Sequence, residues 1–314
     1  WYGFPQNLSY RQDIDGEPRY LTTVMTEQAI EFLQQSKGGA PFVLTVAFKE
    51  PHGSYKYFDP DVPDPYSELD LPVPTTFTRE HFEALPAFLR KSLNAKDSEA
   101  WLADPAKFQD YLRRRYRLIS RADLAIGQVM SVLRDNGLDR NTVVLFTSDN
   151  GFMVGQYTLA EKWLMYEDSI RVPLIVRDPR LPPALRGRRV DDMVLSIDIG
   201  PTLLSMAGLP APRGMQGLDF GPLLHGKKVP WRKHWFYEHT YQTHPPRRPI
   251  PRTEGVRTER WKYIRYPDQS PVYEQLFDLS ADPQEVHNLA DDPAMAEQLE
   301  LLRSRCDDLR MKLL

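Results

Sequence analysis

The chain has 314 residues, with 40 Lys and Arg against 43 Asp and Glu and an apolar fraction of 41%. That content excludes disorder, collagen and a coiled coil as the main state, and a net charge of -3 provides no bulk field to recruit nucleic acid or an anionic membrane. The lone cysteine, Cys306, excludes an intrachain disulfide and a cysteine zinc cluster, and the longest apolar run, near 43–48, is far too short to span a bilayer.

The opening Trp1-Tyr2-Gly3-Phe4-Pro5 has neither an initiator Met nor the charged-then-apolar pattern of a leader. The chain therefore reads as a processed or truncated piece. Residues 20–37 predict a helix, with Leu21, Val24, Met25, Ala29, Phe32 and Leu33 recurring at three and four before Gly38-Gly39. The near-continuous apolar run 41–48 predicts a strand covered on both faces, as in a parallel sheet. Six prolines and the acids Asp59, Asp61, Asp64, Glu68 and Asp70 make 49–80 a long loop. Those acids suit a cation or a solvated rim.

Residues 105–136 carry the strongest helical period. Phe108, Tyr111, Leu112, Ile119, Ala122, Ile126, Val129 and Leu133 form one face, and Arg113, Arg114, Arg117 and Arg121 a solvated one. Asp104-Pro105 starts this helix and Asn136-Gly137 stops it. Strands are predicted at 142–147, 173–176 and 193–197, and a helix near 201–206. After residue 228, short aromatic-rich strands at 234–238, 255–266 and 275–279 predict a small antiparallel sheet, with a terminal helix over 293–312 packed on it. The prolines, 28 in all, point to many stiff connections. The sequence predicts an α/β fold with a mixed, mostly parallel sheet flanked by helices. Residues 1–228 form part of that core, and 229–314 a small α+β subdomain.

Sites in α/β sheets gather at the carboxyl ends of strands. The 41–48 strand ends in Lys49-Glu50-Pro51-His52-Gly53 and the 142–147 strand in Ser148-Asp149-Asn150-Gly151; Lys162 follows in the next loop. Asp149 and Asn150 are adjacent hard oxygen donors, suited to Ca²⁺ or Mg²⁺, and other segments must complete the shell. The same residues are ordinary turn chemistry. His52 suits an anionic substrate or a leaving group in need of a proton. As a lone histidine it reads as a structural residue.

In their order, these segments resemble the type I sulfatases of the alkaline phosphatase superfamily over nearly the whole chain. The resemblance is carried by apolar strand–Pro51-His52, the long helix, apolar strand–Ser148-Asp149-Asn150-Gly151, then Glu161-Lys162-Trp163 through Arg171-Val172-Pro173-Leu174. Ser196-Ile197-Asp198 through Leu204, Met215-Gln216-Gly217-Leu218 and Trp261-Lys262-Tyr263 through Asp282-Pro283-Gln284-Glu285 to Asn288-Leu289 continue it. It implies that Asp149 and Asn150 are metal ligands, with Ca²⁺ ahead of Mg²⁺. It implies that His52 contacts the sulfate or assists the leaving oxygen, and that Lys162 binds sulfate oxygens. A fixed cation, a lysine and a histidine would stabilise charge spread over sulfate oxygens.

The family's formylglycine arises in a Cys/Ser-x-Pro-x-Arg motif that the sequence does not contain, and Cys306 is followed by Asp307-Asp308-Leu309. The nucleophile and part of the metal shell are expected in a missing N-terminal segment of the same protein, without which the chain is inactive and its apolar sheet surface exposed. Tyr157 stands where the family often has histidine. His239 and Arg247, in an aromatic- and arginine-rich stretch, suit an anionic sugar or a solvated basic edge; the resemblance implies a sulfated small molecule or glycan, of glucosamine type. The rivals are a phosphodiesterase or phosphonate hydrolase of the same superfamily, which tends to pair Asp with His where Asp149-Asn150 stands, and a non-catalytic sulfatase-like binding protein. The resemblance implies a periplasmic, secreted or lysosomal location.

Overall fold

A computed structural model describes residues 9–14, 16–53, 62–243 and 248–312. In chain order, β1 (Arg11–Ile14) and β2 (Glu17–Tyr20) form an antiparallel hairpin, followed by α1 (Leu21–Gln35). Three short helices, α2 (Arg79–Ala84), α3 (Ala87–Arg90) and α4 (Ser98–Ala103), precede the long α5 (Pro105–Asp135). Next come β3 (Val144–Thr147), β4 (Met153–Val154), β5 (Ala160–Glu161), α6 (Glu167–Ile170) and β6 (Leu174–Arg177). The chain continues through α7 (Ile199–Met206), α8 (Gly221–Leu224), β7 (His234–His239), β8 (Thr253–Thr258), β9 (Trp261–Tyr266), β10 (Tyr273–Asp278) and α9 (Ala296–Met311). β3 pairs with β6, and β4 with β5. The fold is α/β with an antiparallel C-terminal sheet, as the sequence predicts.

The chain divides into two units. The first comprises 1–73, 103–144 and 176–179. Its centre is α1 packed on α5. Leu21, Val24, Ala29 and Leu33 are the buried stripe of α1, and Phe108, Leu112, Leu118, Ala125 and Leu133 that of α5. Asp104 caps α5 by accepting from the Ala106 N–H at 3.2 Å, and Pro105 occupies the first turn, where no N–H is needed. Tyr10 stacks on Tyr20, and the Tyr10 hydroxyl donates to the His52 carbonyl at 2.6 Å. Arg121 departs from the predicted solvated face: it is buried, bonds the Thr23 hydroxyl at 2.5 Å and lies over the Tyr20 ring. Its long aliphatic stem lets it cover apolar surface and still reach a polar partner.

The predicted strand at 41–48 is a second departure. The segment carries no strand ladder among the described residues, and its burial alternates residue by residue, with Val43 85% exposed. The pleat-like period is present, but the covering of both faces is not, and a strand needs a hydrogen-bonded neighbour to be one.

The second unit comprises 74–102, 145–175 and 180–314. Its sheet runs β10-β9-β8-β7, each pair antiparallel. The predicted 255–266 strand is two strands, β8 and β9, joined by a tight turn at 259–260. Strand alternation sorts the side chains onto two faces. Ile264, Tyr266 and Phe277, with Tyr237 against them, pack with Phe82, Leu89, Leu164, Met165 and Tyr166. Val256, Tyr263 and Leu276 pack with Leu299, Leu302 and Cys306 of α9. The terminal helix therefore covers the sheet as predicted.

Burying each such side chain contributes about 1.5–3 kcal/mol. Gly255 allows the first core to close: a Cβ there would strike the Met165 sulfur and the Tyr263 carbonyl. The predicted 193–197 strand is instead a turn entering α7. Asp198 is fully buried and accepts from the Leu195 and Leu218 N–H groups, each at 2.7 Å, and from Arg232. A carboxylate so engaged bends the chain in place of a strand ladder. Phe146 and Ile175 are 41% and 62% exposed, so the β3–β6 pair is not fully buried.

Candidate active site

The end of β3 is a tight polar tip. Asp149 Oδ1 accepts from the Asn150 N–H at 2.9 Å and from the Ser148 hydroxyl at 3.3 Å, and Asn150 Nδ2 donates to the Gly151 carbonyl at 2.7 Å. These bonds orient both acid and amide from within the turn. Gly151 then passes directly under the backbone of 168–171, where a Cβ would lie 2.6 Å from the Arg171 carbonyl oxygen. Only glycine allows that approach. Asp149 is exposed and Asn150 half-buried.

Lys162 reaches this tip: its ammonium donates to Asn150 Oδ1 at 3.1 Å. Its backbone is held from below. Asn94, 1% exposed, donates from Nδ2 to the carbonyls of Ala160 at 2.8 Å and Lys162 at 2.9 Å. The Tyr237 hydroxyl donates to the Trp163 carbonyl at 3.0 Å. Glu161 and Trp163, flanking the lysine, have φ of 75° and 79°, and Tyr157 and Thr158 upstream have 54° and 60°. Left-handed backbone in non-glycine residues costs on the order of 1–3 kcal/mol each and persists where packing over-determines it. Here the buried Leu159, Leu164, Met165 and Tyr166 supply that packing.

Tyr157, at the position where the resemblance expects a histidine, is turned into the core. It is 6% exposed, and its hydroxyl donates to the Gln284 carbonyl at 2.6 Å. Burial pushes its phenol well above the ordinary value.

His52 belongs to the first unit, exposed, with Nδ1 2.5 Å from the Gly53 carbonyl oxygen. Asp149, Asn150 and Lys162 belong to the second unit and meet there. His239 ends β7 on the same strand face as Tyr237, and its Nε2 is buried without a hydrogen-bond partner among the described residues. Burial lowers its pKa, partly offset by a backbone hydrogen bond at Tyr241, so its neutral form is favoured. Arg247 and His244 lie outside the described residues.

A buried ionic cluster supports α6, and sequence reasoning missed it. Lys262 is fully buried, with its ammonium 2.7 Å from Glu167 and 2.6 Å from Glu285. Glu285 also accepts the Glu167 N–H at 2.6 Å, at the start of α6, and Arg257 lies 3.1 Å from Glu167. Burial raises the Glu167 pKa, but Lys262 and Arg257 outweigh it and the net shift is downward. In Glu285 burial wins over Lys262 and the net shift is upward. The available signal was parity: Lys262 alternates with Ile264 and Tyr266 on an apolar strand face, where a lysine must bring partners.

Among the described residues no three His, Cys, Asp or Glu side chains converge to hold a metal. Asp149 and Asn150 offer oxygen donors only, which fits a hard divalent cation in kind; six to eight ligands are needed for calcium.

A family model described as Sulfatase matches residues 1–209, and one described as N-sulphoglucosamine sulphohydrolase, C-terminal, matches residues 155–312. The chain is 25% identical to the N-acetylglucosamine-6-O-sulfatase of Bacteroides thetaiotaomicron, over 87% of the chain and 58% of that protein. The chain thus spans little more than half the length of this relative. A solved structure of a protein in complex with its substrate D-glucosamine-2-N,6-O-disulfate superposes with a TM-score of 0.74 at 22% identity, covering 95% of this chain and 71% of that one. The phosphonate monoester hydrolase of Agrobacterium radiobacter superposes with a TM-score of 0.76 at 25% identity, covering 99% of this chain and 65% of that one.

Proposed function

Because the chain belongs to the sulfatase family, we propose that it forms part of a sulfuric ester hydrolase acting on a sulfated carbohydrate. The observation that carries this reading is the Lys162 ammonium held 3.1 Å from Asn150 Oδ1 beside the Asp149 carboxylate. Sulfatases use a metal ion and a formylglycine nucleophile. We assign Asp149 and Asn150 to that metal, with Ca²⁺ preferred because both donors are hard oxygens. When bound, such a cation supplies positive charge to sulfate oxygens.

Lys162 binds the sulfate and offsets negative charge as the ester bond breaks. Its loop geometry is fixed before substrate arrives, so little reorganisation accompanies the chemistry. His52 donates to the leaving oxygen. His239 and Arg247 contact the sugar; a neutral His239 would both donate and accept. The glucosamine-type substrate is inferred from the N-acetylglucosamine-6-O-sulfatase relative. Asn150 favours this reading over a phosphonate hydrolase, whose metal pair more often ends in histidine. The division at 228/229 and an exported location belong to the same proposal. No described helix is long and apolar enough to cross a membrane.

The nucleophile belongs to a segment that this sequence does not contain. Residues 1–314 alone should not turn over an aryl sulfate, and joining the upstream segment should restore turnover. In the restored enzyme Lys162→Ala should lower kcat by about 10²–10³-fold. Turnover by the bare chain, or an unchanged kcat in K162A, refutes the assignment.

A further inference from the structure

The second unit carries a concavity that the roles above do not use. It encloses about 540 Å³ and lies between α2–α4 and the loop before β8. Phe82, Ala87 and Ala95 provide apolar lining, and Arg90, Lys91 and Arg248 bring three positive charges to it. Its one acid, Glu99, already pairs with Arg79 at 3.2 Å.

These cations differ from the arginines around the C-terminal sheet. Arg232, Arg257, Arg260, Arg265 and Arg303 each pair with a carboxylate. Arg90 is instead held through Nε by the Leu85 carbonyl at 3.0 Å, and Arg248 through Nη1 by the Ala95 carbonyl at 2.9 Å. Among the described residues none of Arg90, Lys91 and Arg248 has a carboxylate partner. Each arginine is thus aimed by one neutral contact, with donors left over for a ligand. A guanidinium so placed matches sulfate or carboxylate in two-point fashion.

The cavity wall is also continuous with the support of Lys162. Ala95 lines the cavity, and its neighbour Asn94 bonds the Lys162 carbonyl. The Leu93 N–H donates to the Pro249 carbonyl at 2.9 Å, which ties the same wall to the segment carrying Arg248.

We propose that this cavity is a second anion subsite, taking the sulfate or carboxylate of a sugar residue linked to the one held at Lys162. The proposal rests on the sulfatase reading for the identity of the ligand. The volume falls within the range of small-molecule sites of roughly 300–1,000 Å³ and accommodates a sugar ring with its anionic substituent. The apolar lining would meet the C–H face of that ring. The substrate class is then a sulfated oligosaccharide, and the site discriminates it from a monosaccharide.

Calorimetry on the full 314-residue chain tests this, with glucosamine 6-sulfate, a heparin-derived tetrasaccharide and a DNA duplex as probes. The tetrasaccharide should bind at least about tenfold tighter than the monosaccharide, and the R90A/K91A/R248A protein should lose that advantage. It should keep the monosaccharide affinity, and its tetrasaccharide binding should depend less on salt. Because Arg248 also bonds Ala95, R90A/K91A is measured separately and should lose part of the same advantage. Equal tetrasaccharide binding in wild type and triple variant overturns the proposal, as does absence of tetrasaccharide binding in wild type. DNA bound as tightly as the tetrasaccharide, with the same loss in the variant, overturns the saccharide assignment. If K162A leaves monosaccharide binding intact while the triple variant still loses tetrasaccharide binding, the Lys162 assignment fails and the cavity stands.

Discussion

Replacing Lys262 with Met removes one buried ammonium and leaves two carboxylates facing each other. Lys262 is fully buried, Glu285 is 2% exposed and Glu167 14% exposed at the side chain. Methionine preserves the length of the aliphatic stem, so the lost quantity is charge compensation. Breaking a buried ion pair from one side costs about 3–5 kcal/mol, because the remaining charge is stranded in low dielectric. For a folding unit of 150–250 residues each kcal/mol moves Tm by about 2–4 °C, so K262M should melt on the order of 10 °C lower at pH 7.

The pH dependence gives the sharper test. In the variant Glu285, already raised by burial in the wild type, rises further. A carboxyl whose folded pKa lies above its unfolded value penalises folding above the folded pKa, and the penalty vanishes below the unfolded one. The difference between wild type and K262M should therefore shrink as pH falls from 7 toward 5. In wild type the lowered pKa of Glu167 places its loss at more acid pH, and the smaller upward shift of Glu285 gives only a smaller gain in that window. Adding Glu285→Gln should recover much of the loss by removing the stranded charge. Differential scanning calorimetry across pH reads all three proteins. A loss below about 1 kcal/mol at pH 7, or one that does not narrow on acidification, refutes the argument.

Three further outcomes are expected. Gly151→Ala forces a Cβ into the 168–171 backbone and should cost at least about 2 kcal/mol in chemical unfolding; an unchanged midpoint would mean the β3 tip is not clamped there. Tyr157→Phe loses the 2.6 Å bond to the Gln284 carbonyl, for about 0.5–1.5 kcal/mol by the same measurement; a stabilised variant would contradict the hydrogen-bonded placement of Tyr157. His239 should titrate below the usual histidine value in proton NMR, and its contribution to stability should be present above that usual value and lost as pH falls through the folded one; titration at or above the ordinary value would place it in water.

Periodicity along the sequence was enough for α1, α5, the antiparallel C-terminal strands and α9, because each buries one face at a spacing the residues display. Caps and stops at Asp104-Pro105 and Asn136-Gly137 were legible for the same reason: their bonds are made within a few residues. The order of Asp149-Asn150-Gly151 and Lys162 marked a polar tip, and hard oxygen donors marked the kind of cation it suits. Tertiary partners decided the rest. Whether 41–48 became a strand depended on a neighbour to pair with, and whether 193–197 did depended on where the Asp198 carboxylate found its donors. Arg121 looks solvated in a linear reading, and the strand parity of Lys262 does not say which acids meet it, yet both are buried, since burial of a charge turns on partners such as Glu167 and Glu285, remote from Lys262 along the chain. The strained turns around Lys162 and the clustering of Arg90, Lys91 and Arg248 around one cavity are likewise set by packing between distant segments, which no local spacing encodes.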